Sequence, residues 1–412
     1  MTYIRTPFVC ILVALALLAP TAATAQISIL DGEDSYLELG GYIQSVSGVQ
    51  YLTYDTPDFV EDTTGINAEV LRLEWRGQLT DEVTFEVHNR FFGQISSADQ
   101  GLGTGEVIGL GASRRPDRSL DLSSDLLDEE GLIINHDVDR AAVTIYTDTA
   151  DVTVGRQAIT WGRAVLFPVA DLWTKFSPFE LDQTQKRGTD AARVLAYPSM
   201  STELDFVIAD RGCLDDLSGG ARASHAFDWG DGFVAAGKFW NEIIAMAGVS
   251  ATTGNWRGRA ELAEPYDLDD GELDLPRATL GADYIAADFQ VSAEYHFNGA
   301  GQPDPDDYLA QLQSDVFERG ESYYLGRHYV GGLVSYSGLE RTQLALSAIA
   351  NVGDPSVIVA PSFRYILSDE ADINFGAFQG VGEDPVVELP PEVNSEYGLY
   401  GGFAYTQLRV FY

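Results

Sequence analysis

Hydrophobic and polar residues alternate one by one through most of this chain, and that period of two constrains its fold more than any other feature. From Ile66 to Leu79, Leu71, Leu73, Trp75 and Leu79 fall on one face, and Arg72, Glu74, Arg76 and Gln78 on the other. After the turn Thr80-Asp81-Glu82, Val83, Phe85, Val87 and Phe91 oppose Glu86, His88 and Arg90. Such segments are strands with one wet and one greasy face. No stretch after Ala25 approaches the roughly 18 to 20 continuous apolar residues that a membrane helix needs. The chain is therefore a sheet protein, and the question is which face points inward.

The first residues bear on that question. Met1 to Ala25 carry Arg5 as their only charge, an apolar core from Phe8 to Ala19, and Ala23-Thr24-Ala25 as a small-x-small cleavage site. This is the pattern of a secretory signal peptide over 1–25, and Cys10 lies away from the position that a lipoprotein would need. Cleavage removes Arg5 and moves the formal charge from −38 to −39. For an exported protein whose full sequence holds 41 Gly, 20 Tyr, 20 Phe and 6 Trp, alternation throughout is the signature of a transmembrane barrel with its apolar face on lipid. A soluble β-sandwich or propeller is the competing all-β form.

The remaining residues, 26–412, divide into about eighteen strands (16 to 18) whose connections alternate short and long, as when short periplasmic turns alternate with longer outside loops. An all-β, transmembrane, antiparallel β-barrel is expected, with both ends in the periplasm and a water-filled lumen. Gln94 to Val138 reads as a long acidic loop, and Tyr308 to Phe317 as a helical piece of another. The last strand, Tyr397 to Tyr412, ends in an aromatic with Leu408 and Val410 on the lipid side and Gln407 and Arg409 on the other. That ending is similar to the signal by which the barrel-assembly machinery takes up outer-membrane barrels.

One segment breaks the rhythm. Between strands at 151–157 and 190–196, Ile159 to Thr189 combines Pro168 and Pro178 with Trp161, Phe167, Trp173 and Phe176 and with Arg163, Asp171, Lys175, Asp182, Lys186 and Arg187. A loop this long, aromatic and charged is more often functional than incidental. It is expected to fold into the lumen (159–189) and narrow it. Arg156 is awkward: alternation puts it with Val152 and Val154, towards lipid. A bulge near Gly155 is expected to turn Arg156 and Gln157 inward, with Gly162 as a second bend. GRQAITWGR followed by FPVADLWTKFSPFELDQTQKRGTDAAR resembles a segment of Gram-negative outer-membrane, porin-like barrels, loosely similar to alginate-export-type porins. The resemblance covers Gly155 to Arg193 and implies a channel, without naming a solute.

The pore lining expected is then Arg156, Gln157, Trp161, Arg163, Asp171, Lys175, Asp182, Lys186, Arg187, Asp190 and Arg193, with a basic ladder of Arg72, Arg76, Arg90, Arg140, Arg193, Arg364 and Arg409 around it. Such a ladder either selects solutes by charge or pairs with wall carboxylates such as Glu74 and Glu86. Trp161, Trp173, Phe176 and Phe179 either stack sugars or anchor the loop.

Enzyme motifs are missing, the five histidines are scattered, and Asp267 to Glu272 departs from the EF-hand spacing, so no catalytic residue, cofactor or metal is nominated. Cys213 has no partner for a disulfide once Cys10 is removed. The acidity disfavours nucleic acid. The expected partners are outer-membrane lipid and lipopolysaccharide, the assembly machinery and small hydrophilic solutes, in a monomer or homotrimer. The main expectation is passive diffusion. The alternatives are a channel specific for acidic saccharides, or for polysaccharide export, and a closed barrel that assembles or anchors.

Overall fold

The computed structural model describes residues 26–412 apart from 33–34, 55–61, 98–117, 130, 175–180, 182–184, 213–216 and 388–390. The leader expected over 1–25, Cys213, Lys175, Phe176, Pro178, Phe179 and Asp182 lie outside the described residues.

Twenty strands form one antiparallel sheet: β1 Ile27–Asp31, β2 Tyr36–Tyr51, β3 Thr63–Thr80, β4 Val83–Ser96, β5 Ser123–Glu129, β6 Leu132–Tyr146, β7 Ala150–Gln157, β8 Thr189–Ser199, β9 Thr202–Asp210, β10 Ser218–Phe227, β11 Gly230–Phe239, β12 Glu242–Thr253, β13 Trp256–Asp267, β14 Arg277–Ala286, β15 Phe289–Asn298, β16 His328–Leu339, β17 Thr342–Asn351, β18 Ser356–Ser368, β19 Ala371–Val381 and β20 Gly402–Phe411. Each pairs with its sequence neighbour except that β4 passes over β5 to pair with β6, and β20 pairs with β2 from Tyr42↔Phe411 to Tyr51↔Gly402, which closes the ring. Closure leaves no free edge in the wall of the ring, the condition for a sheet to stand in lipid.

Two short strands lie outside the count of the wall. β1 pairs with the lower end of β2, below the reach of β20, and β5 pairs with the upper half of β6, above the reach of β7. The other 18 strands make the barrel. The expectation of one loop from Gln94 to Val138 is corrected here: β4 runs on to Ser96, β6 starts at Leu132, and β5 lies between them. Leu132 and Ile134 alternate with Ile133 and Asn135, a weak strand pattern that the acidic residues around it obscured. The helical piece forms two short helices, α1 Tyr308–Leu312 and α2 Asp315–Glu318.

Apolar side chains such as Val234, Leu262, Leu280 and Val330 are exposed on the outer face, while Arg259, Glu261, Asp283 and Glu294 are buried on the inner one. On β3 this order changes partway up. Above Val70 the outer face carries Gly65, Asn67 and Glu69, and the inner one Ile66, Ala68 and Val70. Outside, Ser45 donates to Glu69 at 2.7 Å and Asn67 to Ser47 at 2.9 Å. β3 is 18 residues long and a tilted strand crosses the hydrocarbon in about ten, so its upper part projects beyond it. There the sheet obeys the rule of a soluble protein, polar outside and apolar inside. The inner apolar patch (Tyr42, Val46, Ile66, Ala68, Val70, Phe92, Phe403) is covered by Leu181, which belongs to the segment between β7 and β8.

Candidate functional site

That segment leaves the wall at Gln157. Gly155 has φ +122°, and a Cβ there would lie 2.1 Å from the Ala141 carbonyl oxygen, so only glycine fits. Arg156 follows, opposite Ala141 and Asp190 in the sheet. It donates to Asp190 Oδ1 at 2.7 Å and Oδ2 at 3.0 Å, to the Val138 carbonyl at 2.7 Å, and to the Leu120 carbonyl. The Leu120 amide donates in turn to Asp190 Oδ2 at 3.0 Å. Arg156 therefore does not reach open lumen: at 1% exposure it is a pin in the seam. The residues leading into β5 occupy the wall above β7, so a charge at this height meets protein rather than lipid or water. Gln157 is buried beside it, its amide donating to the Ala191 and Thr153 carbonyls.

Beyond the pin the chain crosses the lumen. Trp161 is fully buried, donates through Nε1 to Asp205 Oδ2 at 2.7 Å, and meets Trp173 edge to face at 5.3 Å. Asp205, on β9, also takes Arg193 at 2.7 Å, so one carboxylate joins the wall to the insert. Trp173 packs on Phe239 of β11 at 4.7 Å. Trp161 and Trp173 therefore anchor the segment, and their rings offer no face to a passing sugar.

The far side is held by two carboxylates. Glu261 on β13 accepts the amides of Arg163, of Ala164 at 2.6 Å and of Ala170 at 3.3 Å. Glu294 on β15 accepts those of Val165 and Leu166 at 2.8 Å and of Phe167 at 3.0 Å. Arg259 sits between Glu294, at 2.8 Å, and Asp283. Phe167 stacks on His296 at 5.0 Å, and its carbonyl accepts from Thr279 at 2.7 Å. Gly331 on β16 makes room, since a Cβ there would lie 2.7 Å from Leu166 and 2.8 Å from Phe167. On the way back Lys186 pairs with Asp171 and reaches Thr160 at 3.1 Å, Arg140 donates to the Lys186 carbonyl at 2.7 Å, and Arg118 to the Gly188 carbonyl at 2.9 Å. Arg187 is half-buried beside them.

The ladder arginines are paired along the wall. Arg72 binds Glu74 and Asp139 at 2.7 and 2.6 Å, Arg76 binds Glu74 at 2.7 Å, and Arg140 lies 3.9 Å from Glu86. Asp372 takes both Arg364 at 2.8 Å and Arg409 at 3.4 Å, and Arg90 lies over the Phe92 ring. Arg163, with an ion pair to Asp231 at 2.9 Å, keeps 29% of its side chain exposed, Arg76 42% and Arg364 37%.

Loops close over the insert. Tyr324, between β15 and β16, donates to the Leu166 carbonyl at 3.4 Å. Glu396, between β19 and β20, is fully buried and accepts from Tyr329, from Asn351 at 2.9 Å and from the Leu325 amide at 3.3 Å. Burial, with Asp354 adding to it, pushes its carboxyl up to about 8 against the pull of those hydrogen bonds. Sequence reasoning did not single out Asp205, Glu261, Glu294 or Glu396: the first three are inward carboxylates among many and the fourth is one acidic residue of a loop, and each has partners far away in the chain.

No family model matches the chain, and no curated protein sequence does. Solved structures do. OccAB4 of Acinetobacter baumannii is similar with a TM-score of 0.57 at 8% identity over 92% of this chain and 98% of that one. OccK9 (OpdG) of Pseudomonas aeruginosa gives 0.55 at 9% over 91% and 97%, and a BenF-like porin from Pseudomonas fluorescens Pf-5 gives 0.54 at 10% over 91% and 98%. At such identities the likeness is one of architecture: the chain has the fold of a porin-like β-barrel, closed by 18 wall strands.

Proposed function

We propose that the chain is an outer-membrane channel that lets small hydrophilic solutes diffuse through a lumen narrowed by residues 159–189. The observation that carries this is the crossing itself: one segment bonded to β9, β13 and β15 and packed on the inner patch of β2, β3, β4 and β20, inside a closed barrel. The side chains left partly wet, Arg163, Arg76 and Arg364, belong to the lining in this reading, and the buried ones to its frame. Lipopolysaccharide would surround the outer face, and the assembly machinery would take the chain by β20. Planar-bilayer recording and liposome swelling with solutes graded by size and charge test the reading. Absence of any conductance from the folded protein would sink it in favour of a closed, anchoring barrel. The wet arginines favour one second reading, a channel for acidic saccharides, which expects anion preference to change on charge reversal at Lys186 and Arg187; unchanged preference counts against it.

A further inference from the structure

Five consecutive amides, those of Arg163 to Phe167, together with that of Ala170, are all spent on two side chains of the opposite wall, Glu261 and Glu294. Bonds from backbone N–H to a carboxylate are charge-assisted and stronger than neutral ones. They also ignore side-chain identity, so they fix where the main chain lies whatever residues it carries. The two carboxylates sit on alternate strands, β13 and β15, and split the amides in sequence: the first two to one, the next three to the other. The chain is thus held at two points along its direction of travel, which fixes both its depth and its heading. Carbonyls of the same turn are held from the same side by Thr279 and Tyr324.

Both carboxylates are nearly fully buried, and Arg259 balances only Glu294 directly. A permeating ion would meet the insert before it met either of them. We propose that Glu261 and Glu294 are positioning residues that set the bore of the channel by clamping the backbone of 163–170 to the wall, without themselves acting on passing ions. This rests on the channel reading above.

The test is the Glu261→Gln/Glu294→Gln double variant, with Glu261→Asp and Glu294→Asp as conservative partners, in the full chain after heat-modifiable gel migration shows the barrel folded. Glutamine keeps the shape but turns an N–H2 donor towards amides that are donors themselves. Three results are expected. Single-channel conductance and the size cut-off for swelling both rise, the cation-to-anion permeability ratio stays at its wild-type value, and the aspartate variants fall between. Amides of 163–167 exchange with solvent about 10- to 100-fold faster, the loss of one charge-assisted bond each. A fall in cation preference with conductance and cut-off unchanged would overturn the proposal, because the glutamates would then be lining charges. Unchanged amide exchange in the folded variant would overturn it as well. That second reading does not depend on conductance, so a wild-type protein that conducts nothing refutes the channel and leaves the clamp to be judged by exchange.

Discussion

Replacing Arg156 by methionine removes the pin at the point where the chain leaves the wall. The guanidinium makes four hydrogen bonds, two of them to Asp190, which is itself only 8% exposed. Without Arg156 the Asp190 carboxylate retains the Leu120 amide, and the Leu120 and Val138 carbonyls lose this donor. Stranding one partner of a buried pair costs about 3–5 kcal/mol, most of it the stranded charge rather than the lost attraction. Two comparisons separate those parts. Arg156→Lys keeps the charge and gives up the planar fork, at about 1–3 kcal/mol. Arg156→Met/Asp190→Asn removes the stranded charge and is expected to be more stable than Arg156→Met alone, despite carrying one more substitution. Urea unfolding of the barrel in detergent micelles, followed by tryptophan fluorescence, measures all three together with Asp190→Asn alone, which completes the cycle. A shift below about 1 kcal/mol for Arg156→Met, or strict additivity of the two substitutions, would refute the pin.

Gly155→Ala forces a side chain into φ +122° with its Cβ 2.1 Å from a carbonyl oxygen, and the same unfolding experiment is expected to show a loss above about 1 kcal/mol, with exchange at 155–157 accelerated. Trp161→Phe keeps a ring against Trp173 but leaves Asp205 short of one donor, at about 1.5–3 kcal/mol, read as a lower unfolding midpoint. Glu396 has its carboxyl raised from 4.5 to about 8, so the folded state holds the proton more tightly than the unfolded one. Its contribution is whole below about 4.5, falls as pH rises, and is gone above about 8. Amide exchange at 324–327 and 394–398, corrected for the intrinsic pH effect, is expected to accelerate between about pH 5 and 8 and to level off above 8, and Glu396→Gln to abolish that dependence; a flat profile in the unsubstituted protein would contradict the assignment.

The wall was legible because a barrel strand repeats one instruction, wet and greasy by turns, for as long as it faces lipid. Leu71, Leu73 and Trp75 carry that instruction clearly. Ile66, Ala68 and Val70 do not, since above the hydrocarbon the outer face meets water and the alternation changes sides without changing period. β5 went unread for a related reason: it patches a gap left by another strand, and nothing local in Ser123 to Glu129 reports a gap. Within the insert, the excess of aromatics beside charges revealed that the segment goes inside. The direction in which Arg156 points could not follow from alternation, because its surroundings are supplied by residues 118–122, more than thirty positions earlier. Partners such as Glu261 for the Arg163 amide are matters of closure alone.

The contents of the lumen decide what kind of narrowing this is. A core of Ile159, Trp161, Leu172 and Trp173 from the insert with Val207, Phe233, Phe239, Ile244 and Met246 from the wall lies inside the ring, where an open pipe would hold water. If the insert swung out as a gate, it would wet those apolar surfaces together with the Ile66 to Val70 patch, and would strip Glu261 and Glu294 of six amide donors at once. Each lost charge-assisted bond costs about 1.5–3 kcal/mol before any hydrophobic loss is added, which exceeds what a few kcal/mol of population shift supplies. The segment is therefore part of the folded wall's interior rather than a lid on it.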